Sequence, residues 1–125
     1  MIKGIGVDIL EIVRIQKSID SLGVAFLEKV FTPEEIRYCQ SKHNMAQHFA
    51  ARFAAKEAVS KALATGWRGD FVWKDVEVMN DMLGQPHITL YGKLKEVLTH
   101  ATVFVSLSHS ESHVVAMVVI EGTAS

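Results

Sequence analysis

Apolar residues in the first part of the chain recur at two different spacings. From residue 2 to residue 8 they alternate with small residues, which predicts a short strand with Asp8 at or just past its end. Glycines within this strand permit close approach by a neighbouring backbone. From Arg14 to Phe26 the apolar spacing is helical, and we expect Gly23 to break or bend that segment.

Two further helices are predicted before residue 66. Thr32 precedes a proline and has a glutamate three residues later, a capping-box pattern that predicts a helix over about 33–41. After a turn at 42–44, a longer helix is expected from about residue 45 to residue 64, stopped by Gly66.

The second half of the chain is mostly strand-like. Strands are predicted over 71–78 and 87–90, and a short helix over about 92–99. The segments 102–108 and 114–120 predict an antiparallel hairpin, and the uniformly apolar second segment predicts a strand buried on both faces.

Length and composition narrow the class of protein. The 125 residues, nearly half of them apolar, predict one folded domain over 1–125. The longest apolar run, 114–120, is far short of the ~20 residues of a membrane span, and no secretory signal is recognisable, so we expect a cytoplasmic protein.

Cys39 is the only cysteine, which excludes an internal disulfide and a cysteine zinc cage within one chain. A net charge of −1 argues against a generic nucleic-acid binder.

The long helix carries a polar sector between apolar ones. At 100° per residue, Phe53, Glu57, Ser60 and Lys61 share one sector, and alanines dominate another. Because an alanine face lets a helix lie close to a sheet, we expect this helix to be embedded. Glu57 and Lys61 could form an ordinary exposed ion pair. On an embedded helix, however, they must be paired or bound to something charged, such as a metal-bound phosphate.

Two other residues have a structural and a functional interpretation. Asp8 either caps the following helical turn or joins Glu57 as a Mg²⁺ ligand, since Mg²⁺ takes one or two carboxylates together with waters and phosphates. Lys61 would then hold a phosphate oxygen. His109 is either a turn residue bonded to nearby backbone or a ligand for a phosphate or ribose.

Three segments of the chain resemble one family. They are Gly4-Ile5-Gly6-Val7-Asp8-Ile9 with Glu11 and Arg14-Ile15, Arg52-Phe53-Ala54-Ala55-Lys56-Glu57-Ala58-Val59-Ser60-Lys61-Ala62 with Thr65-Gly66, and Val105-Ser106-Leu107-Ser108-His109. The pattern resembles holo-acyl-carrier-protein synthases, which are small 4'-phosphopantetheinyl transferases. The resemblance implies an α+β fold, in which an antiparallel sheet packs against a long alanine-rich central helix and shorter helices.

The resemblance also implies a reaction. The family transfers the 4'-phosphopantetheine arm of coenzyme A to a serine of apo acyl carrier protein, releasing adenosine 3',5'-bisphosphate and supporting fatty acid biosynthesis. By carry-over, Asp8 and Glu57 would hold Mg²⁺ and Lys61 would neutralise the leaving phosphate, as phosphoryl transfer requires. Either a metal-bound water or Glu57 itself would take the serine proton.

Binding residues follow from the same resemblance. Arg52 and His109 are expected to bind the coenzyme A nucleotide, Lys61 its phosphates, and Ser60 and Gly66 to line the pocket.

The carrier protein is acidic in this family, so its docking surface is expected to combine positive charge with an apolar anchor, supplied by Arg14, Phe26 and Lys29. Ala25 departs from the family pattern, in which a basic residue often precedes that phenylalanine. The family forms trimers with the active sites at subunit interfaces, which implies a homotrimer here.

Two other functions compete with this interpretation. A Mg²⁺-dependent nucleic-acid phosphodiesterase would also use a strand-end Asp and a helical Glu, but it should have a basic stripe and more carboxylates near the site; Asp70, Asp75 and Asp81 cluster beyond the helix. A non-enzymatic coenzyme A or nucleotide-binding module would use the same residues without transfer.

Overall fold

The computed structural model describes residues 1–63 and 71–122. Its elements, in chain order, are β1 (Ile2–Glu11), α1 (Ile12–Leu22), α2 (Val24–Val30), α3 (Pro33–Gln40), α4 (Met45–Leu63), a 3₁₀ turn (Trp73–Asp75), β2 (Val76–Asn80), β3 (Pro86–Leu90), α5 (Gly92–Val97), β4 (Ala101–His109) and β5 (His113–Gly122). The mixture of helices and antiparallel strands confirms the α+β class. The predicted end of the long helix at residue 64 and its stop at Gly66 lie outside the described residues.

The larger sheet has three antiparallel strands in the order β1-β5-β4, and β2 and β3 form a separate antiparallel pair. The predicted β4–β5 hairpin is confirmed. The prediction that its second strand is buried on both faces was wrong for a single chain. Val114, Ala116, Val118 and Ile120 are buried, but Met117 between them is 46% exposed. The described residues cover one face of the sheet with α4 and leave much of the other face open.

Helix α4 lies against β1 at unusually short range. A Cβ atom placed on Gly6 would be 1.9 Å from the carbonyl oxygen of Ala58, and one on Gly4 would be 2.1 Å from that of Ala62. Both alanines are buried, as are Ala54 and Ala55. The alanine face and the two glycines therefore bring a strand and a helix into backbone contact, as the sequence predicted.

The helices preceding α4 end and begin where local chemistry dictates. Gly23 has φ 61°, a left-handed conformation that costs glycine little, and it separates α1 from α2. Thr32 accepts a hydrogen bond from the backbone of Glu35 while the Glu35 carboxylate accepts one from the backbone of Thr32, which confirms the capping box. No helix among residues 1–63 and 71–122 is both long and apolar enough to cross a membrane.

Two strand boundaries differ from the sequence prediction. β1 continues to Glu11, so Asp8 lies inside the strand, because β5 pairs with it as far as Glu11 and His113. The predicted strand 71–78 was wrong in its first half, which contains the 3₁₀ turn. There the carbonyl of Trp73 accepts a hydrogen bond from buried Lys56, a tertiary contact that local patterning does not reveal.

Candidate active site

The first pair of predicted site residues meets where β1 crosses α4. The Lys61 Nζ atom donates to Asp8 Oδ1 at 3.0 Å and to the Val7 carbonyl oxygen at 3.1 Å. The Asp8 side chain is 15% exposed and that of Lys61 is 54% exposed. The lysine therefore bridges strand and helix while much of its side chain remains open to solvent. Asp8 does not cap a helix, since Glu11 precedes α1.

Glu57 lies one helical turn before Lys61 and is half-buried. Burial raises the pKa of its carboxyl group, and the negative charge of Asp8 raises that pKa further, while Lys61 opposes the shift. The two carboxylates are thus close enough to repel each other. A cation between them would relieve that repulsion.

This donor set suits one kind of metal. Among residues 1–63 and 71–122, no group of three or more His, Cys, Asp and Glu side chains is placed to hold an ion. Zinc sites use three or four protein ligands, whereas Mg²⁺ is usually held by one or two carboxylates and completed by waters and substrate phosphates. Asp8 and Glu57 therefore fit Mg²⁺ that is shared with a phosphorylated substrate.

A cleft of about 330 Å³ opens beside the two carboxylates. Asp8 and Glu57 line it together with Arg14 and Ser18 of α1, and Phe53 forms part of its wall. Arg14 adds a positive charge at the rim. The cleft can therefore hold a ligand next to the acidic pair and present a cation to a second, acidic partner.

Phe53 also separates the cleft from a neighbouring apolar groove. Phe26 and Lys29 line this groove, where Trp73 stacks on Phe53 with ring centroids 5.0 Å apart. The residues predicted as a docking surface thus lie in two adjoining depressions that share Phe53 as a wall. Arg14 lines the cleft, and Phe26 and Lys29 line the groove.

Arg52 and His109 lie elsewhere. Arg52 is 1% exposed, donates from Nη2 to Asn80 Oδ1 at 2.8 Å, and packs its guanidinium 4.3 Å from the ring centroid of Tyr38. Its position on α4 is about 140° around the helix from Glu57, at 100° per residue. His109 is exposed at the end of β4. Burial lowers the pKa of His48, and charge repulsion from Arg52, Lys42 and His109 lowers it further.

The remaining predicted pocket residues are less informative. Ser60 is half-buried on α4, between Glu57 and Lys61 in sequence. Gly66 lies outside the described residues.

Sequence reasoning missed one polar residue in the middle of the motif. Lys56 was given no role of its own, yet it is fully buried and forms a 2.7 Å ion pair with buried Glu35. The available signal was that Lys56 shares its helical sector with the large apolar residues Phe49, Val59 and Leu63, all of them buried. A lysine there must find internal acceptors.

Comparison with known proteins places the chain in a family. The model of the 4'-phosphopantetheinyl transferase superfamily matches residues 4–118. A holo-[acyl-carrier-protein] synthase of Geobacter sp. (strain M21) is 50% identical over 97% of this chain and 99% of that protein.

Solved structures agree. The holo-[acyl-carrier-protein] synthase of Neisseria meningitidis superposes with a TM-score of 0.86 and 36% identity, covering 97% of this chain and 99% of that one. The Bacillus anthracis synthase, solved in complex with CoA (3',5'-ADP), gives 0.82 and 37%, covering 98% of this chain and 99% of that one. The chain belongs to the 4'-phosphopantetheinyl transferase superfamily, and within it to the holo-acyl-carrier-protein synthases. It is an enzyme of that family.

Proposed function

We propose that this enzyme transfers the 4'-phosphopantetheine group of coenzyme A to a serine of apo acyl carrier protein, with Mg²⁺, and releases adenosine 3',5'-bisphosphate. The observation that carries the proposal is the meeting of Asp8, Glu57 and Lys61 at one cleft, with the carboxylates close enough to repel each other. A role in fatty acid biosynthesis follows if the carrier is the one used in that process. A cytoplasmic location stays a prediction from the sequence.

The site residues divide the work of a phosphoryl transfer. The serine oxygen forms a bond to the β-phosphorus of coenzyme A, the bond from that phosphorus to the bridging oxygen breaks, and the serine proton leaves to a base. Mg²⁺ held by Asp8 and Glu57 would supply charge neutralisation at the pyrophosphate.

Lys61 contributes a cation on the open side of the site. Its ammonium group has three hydrogens, and its two described acceptors are Asp8 and the Val7 carbonyl. It can therefore turn a donor toward the departing phosphate and stabilise the charge that develops there. The base that takes the serine proton is either Glu57 itself or a water.

The nucleotide site is proposed at Arg52 and His109, which both act on the pKa of His48. Its positive charges suit the phosphate on the ribose of coenzyme A, with Ser60, Lys61 and Gly66 nearer the pyrophosphate. In a single chain Arg52 and Glu57 point in different directions around α4. One coenzyme A molecule would therefore span residues of two chains.

The outer face of the large sheet supports such an assembly. Five apolar side chains on it are each at least 46% exposed: Ile5, Val7, Ile9, Phe104 and Met117. Monomeric proteins rarely leave a contiguous apolar face of this kind open. Because neighbours in a strand face opposite ways, Val7 and Ile9 point outward where Asp8 points toward α4. A homotrimer packed through this face would place its active sites at the subunit interfaces.

The carrier protein is proposed to dock across the mouth of the cleft. Arg14 stands beside the acidic pair, and Phe26 and Lys29 line the adjoining groove. This arrangement offers two cations and an apolar anchor to an acidic partner.

The test is a transfer assay read by mass spectrometry. The enzyme is incubated with Mg²⁺, coenzyme A and several apo carrier proteins, and we expect the carrier to gain one phosphopantetheine. A coenzyme A-binding module without activity would bind the nucleotide in a parallel calorimetric titration and leave every carrier unchanged. That result would overturn the proposal.

A further inference from the structure

The buried ammonium group of Lys56 ties four elements to α4. It donates to Glu35 Oε1 at 2.7 Å in α3, and both side chains are fully buried. Three carbonyl oxygens also lie within 3.0 Å of it: those of Val30 at the end of α2, Trp73 in the 3₁₀ turn and Val76 in β2. Since an ammonium group has three hydrogens, four acceptors saturate it. Lys56 is thereby held in one position.

Glu35 is fixed as firmly as its partner. Besides Lys56, its carboxylate accepts hydrogen bonds from the backbone of Thr32 at 2.9 Å and of Val78 at 2.8 Å. The ion pair is therefore attached to the backbone of both α3 and β2. It joins α4 to α2, α3, the 3₁₀ turn and β2, and it makes no hydrogen bond to β1.

Stability alone is a weak reason for such a pair. Desolvating two charges costs several kcal/mol, and apolar replacements of similar volume are often neutral or stabilising. A buried pair does, however, select one arrangement of the elements that it joins. Here that arrangement has a consequence for the active site, because Lys56 is followed directly by Glu57.

Neighbouring residues on a helix differ by 100°, so the direction of one fixes the direction of the next. We propose that Lys56, paired with Glu35, is a positioning residue that sets the rotation of α4 about its axis and so keeps the Glu57 carboxylate facing Asp8. The contacts of Gly4 and Gly6 with α4 set the distance between helix and strand. The ion pair sets the angle. This inference rests on the proposed role of Glu57.

The test removes both charges together. The double variant Lys56→Met/Glu35→Gln leaves no unpaired buried charge and keeps similar side-chain volumes. Binding of Mn²⁺, a spectroscopic substitute for Mg²⁺, is measured by electron paramagnetic resonance with coenzyme A present, alongside kcat and the KM for carrier protein. We expect Mn²⁺ affinity and kcat to fall about 10- to 100-fold, the range for residues that orient metal ligands, and the KM for carrier to stay unchanged.

Leu94→Ala is the matched control. Leu94 is a buried residue of α5 that supplies none of the hydrogen bonds of Lys56 or Glu35, so its truncation lowers the melting temperature without removing either partner. It should leave Mn²⁺ affinity and kcat unchanged at a temperature where the protein is folded. A folded double variant that behaves like this control overturns the proposal.

A second variant is available if the double variant does not fold. Glu35→Gln alone retains the three carbonyl acceptors of Lys56, and it should weaken Mn²⁺ binding in the same direction; a folded Glu35→Gln protein with wild-type Mn²⁺ affinity also overturns the proposal. If the wild-type enzyme transfers nothing to any carrier, the proposed function fails, but the Mn²⁺ measurement still decides whether Lys56 positions Glu57.

Discussion

Helix α4 carries two lysines five residues apart that have opposite surroundings. Lys56 is fully buried and has four acceptors drawn from the core, whereas Lys61 is 54% exposed and has two at the edge of a strand. The ammonium group of Lys56 has no hydrogen left to donate to a ligand. That of Lys61 has a hydrogen left to donate, and a ligand can reach it from solvent. One side of the helix is thus committed to holding the fold in place, and the other is free to bind substrate.

The largest effect is expected on the open side. Asp8→Ala or Glu57→Ala removes half of the carboxylate pair, so transfer should fall by at least about 100- to 1,000-fold. The melting temperature should change little, since neither residue contributes to the buried network. Transfer rates and thermal unfolding of the same preparations measure both quantities. Near-normal rates in either variant would refute the metal assignment.

Substitution on the buried side should show first as a loss of stability. Lys56→Met leaves Glu35 buried without a counter-charge, and the free energy of unfolding should fall by about 3–5 kcal/mol. Lys61→Met removes a pair whose lysine is 54% exposed, and it should cost about 1 kcal/mol while slowing transfer strongly. Chemical denaturation and initial rates compare the two variants. Equal losses of stability would show that the two lysines do not differ as described.

The close contact between β1 and α4, on which both sides of the helix depend, can be tested at Gly6. Gly6→Ala inserts a methyl group where the Ala58 carbonyl oxygen now lies, so β1 and α4 must separate. Overpacking of this kind costs about 1–3 kcal/mol, and here the separation also moves Asp8 away from Glu57. We therefore expect transfer to slow together with the loss of stability. Gly84→Ala, at a turn with no atom within 4 Å of the added carbon, is the control for steric crowding, although its positive φ adds some backbone strain.

Arg14 at the rim of the cleft should give a smaller and more selective effect. Arg14→Ala should raise the KM for carrier protein about 10-fold, equivalent to ~1.4 kcal/mol, and leave the KM for coenzyme A unchanged. Steady-state kinetics with each substrate varied in turn provide the measurement. Equal increases in both constants would remove Arg14 from the docking surface.

The smallest expected effect is a titration shift within the carboxylate pair. Because the charge of Asp8 helps to raise the pKa of Glu57, Asp8→Asn should lower that pKa while burial keeps it above the ordinary value. A ¹³C-detected NMR titration of the Glu57 carboxyl carbon would measure the change. An unchanged pKa would mean that the two carboxylates do not interact.

The open side of α4 was largely predictable from the sequence, and the buried side was not. Helical spacing alone places Glu57 and Lys61 on one sector, and the two glycines of β1 indicate a close approach to another backbone. The buried role of Lys56 depends on acceptors from four elements distant in the chain, and no local pattern contains that information. Asp8 was misplaced at the end of its strand for a similar reason, since pairing with β5 extends β1.

The contact between β1 and α4 has a consequence for mutational tolerance. The atoms that face Gly4 and Gly6 are backbone carbonyl oxygens, which no substitution in α4 can remove. A compensating change on the helix is therefore impossible, and every residue larger than glycine meets the same obstacle whatever its polarity. In a saturation scan these two positions should reject all replacements alike, while the intervening Ile5, which faces outward, should tolerate several apolar ones.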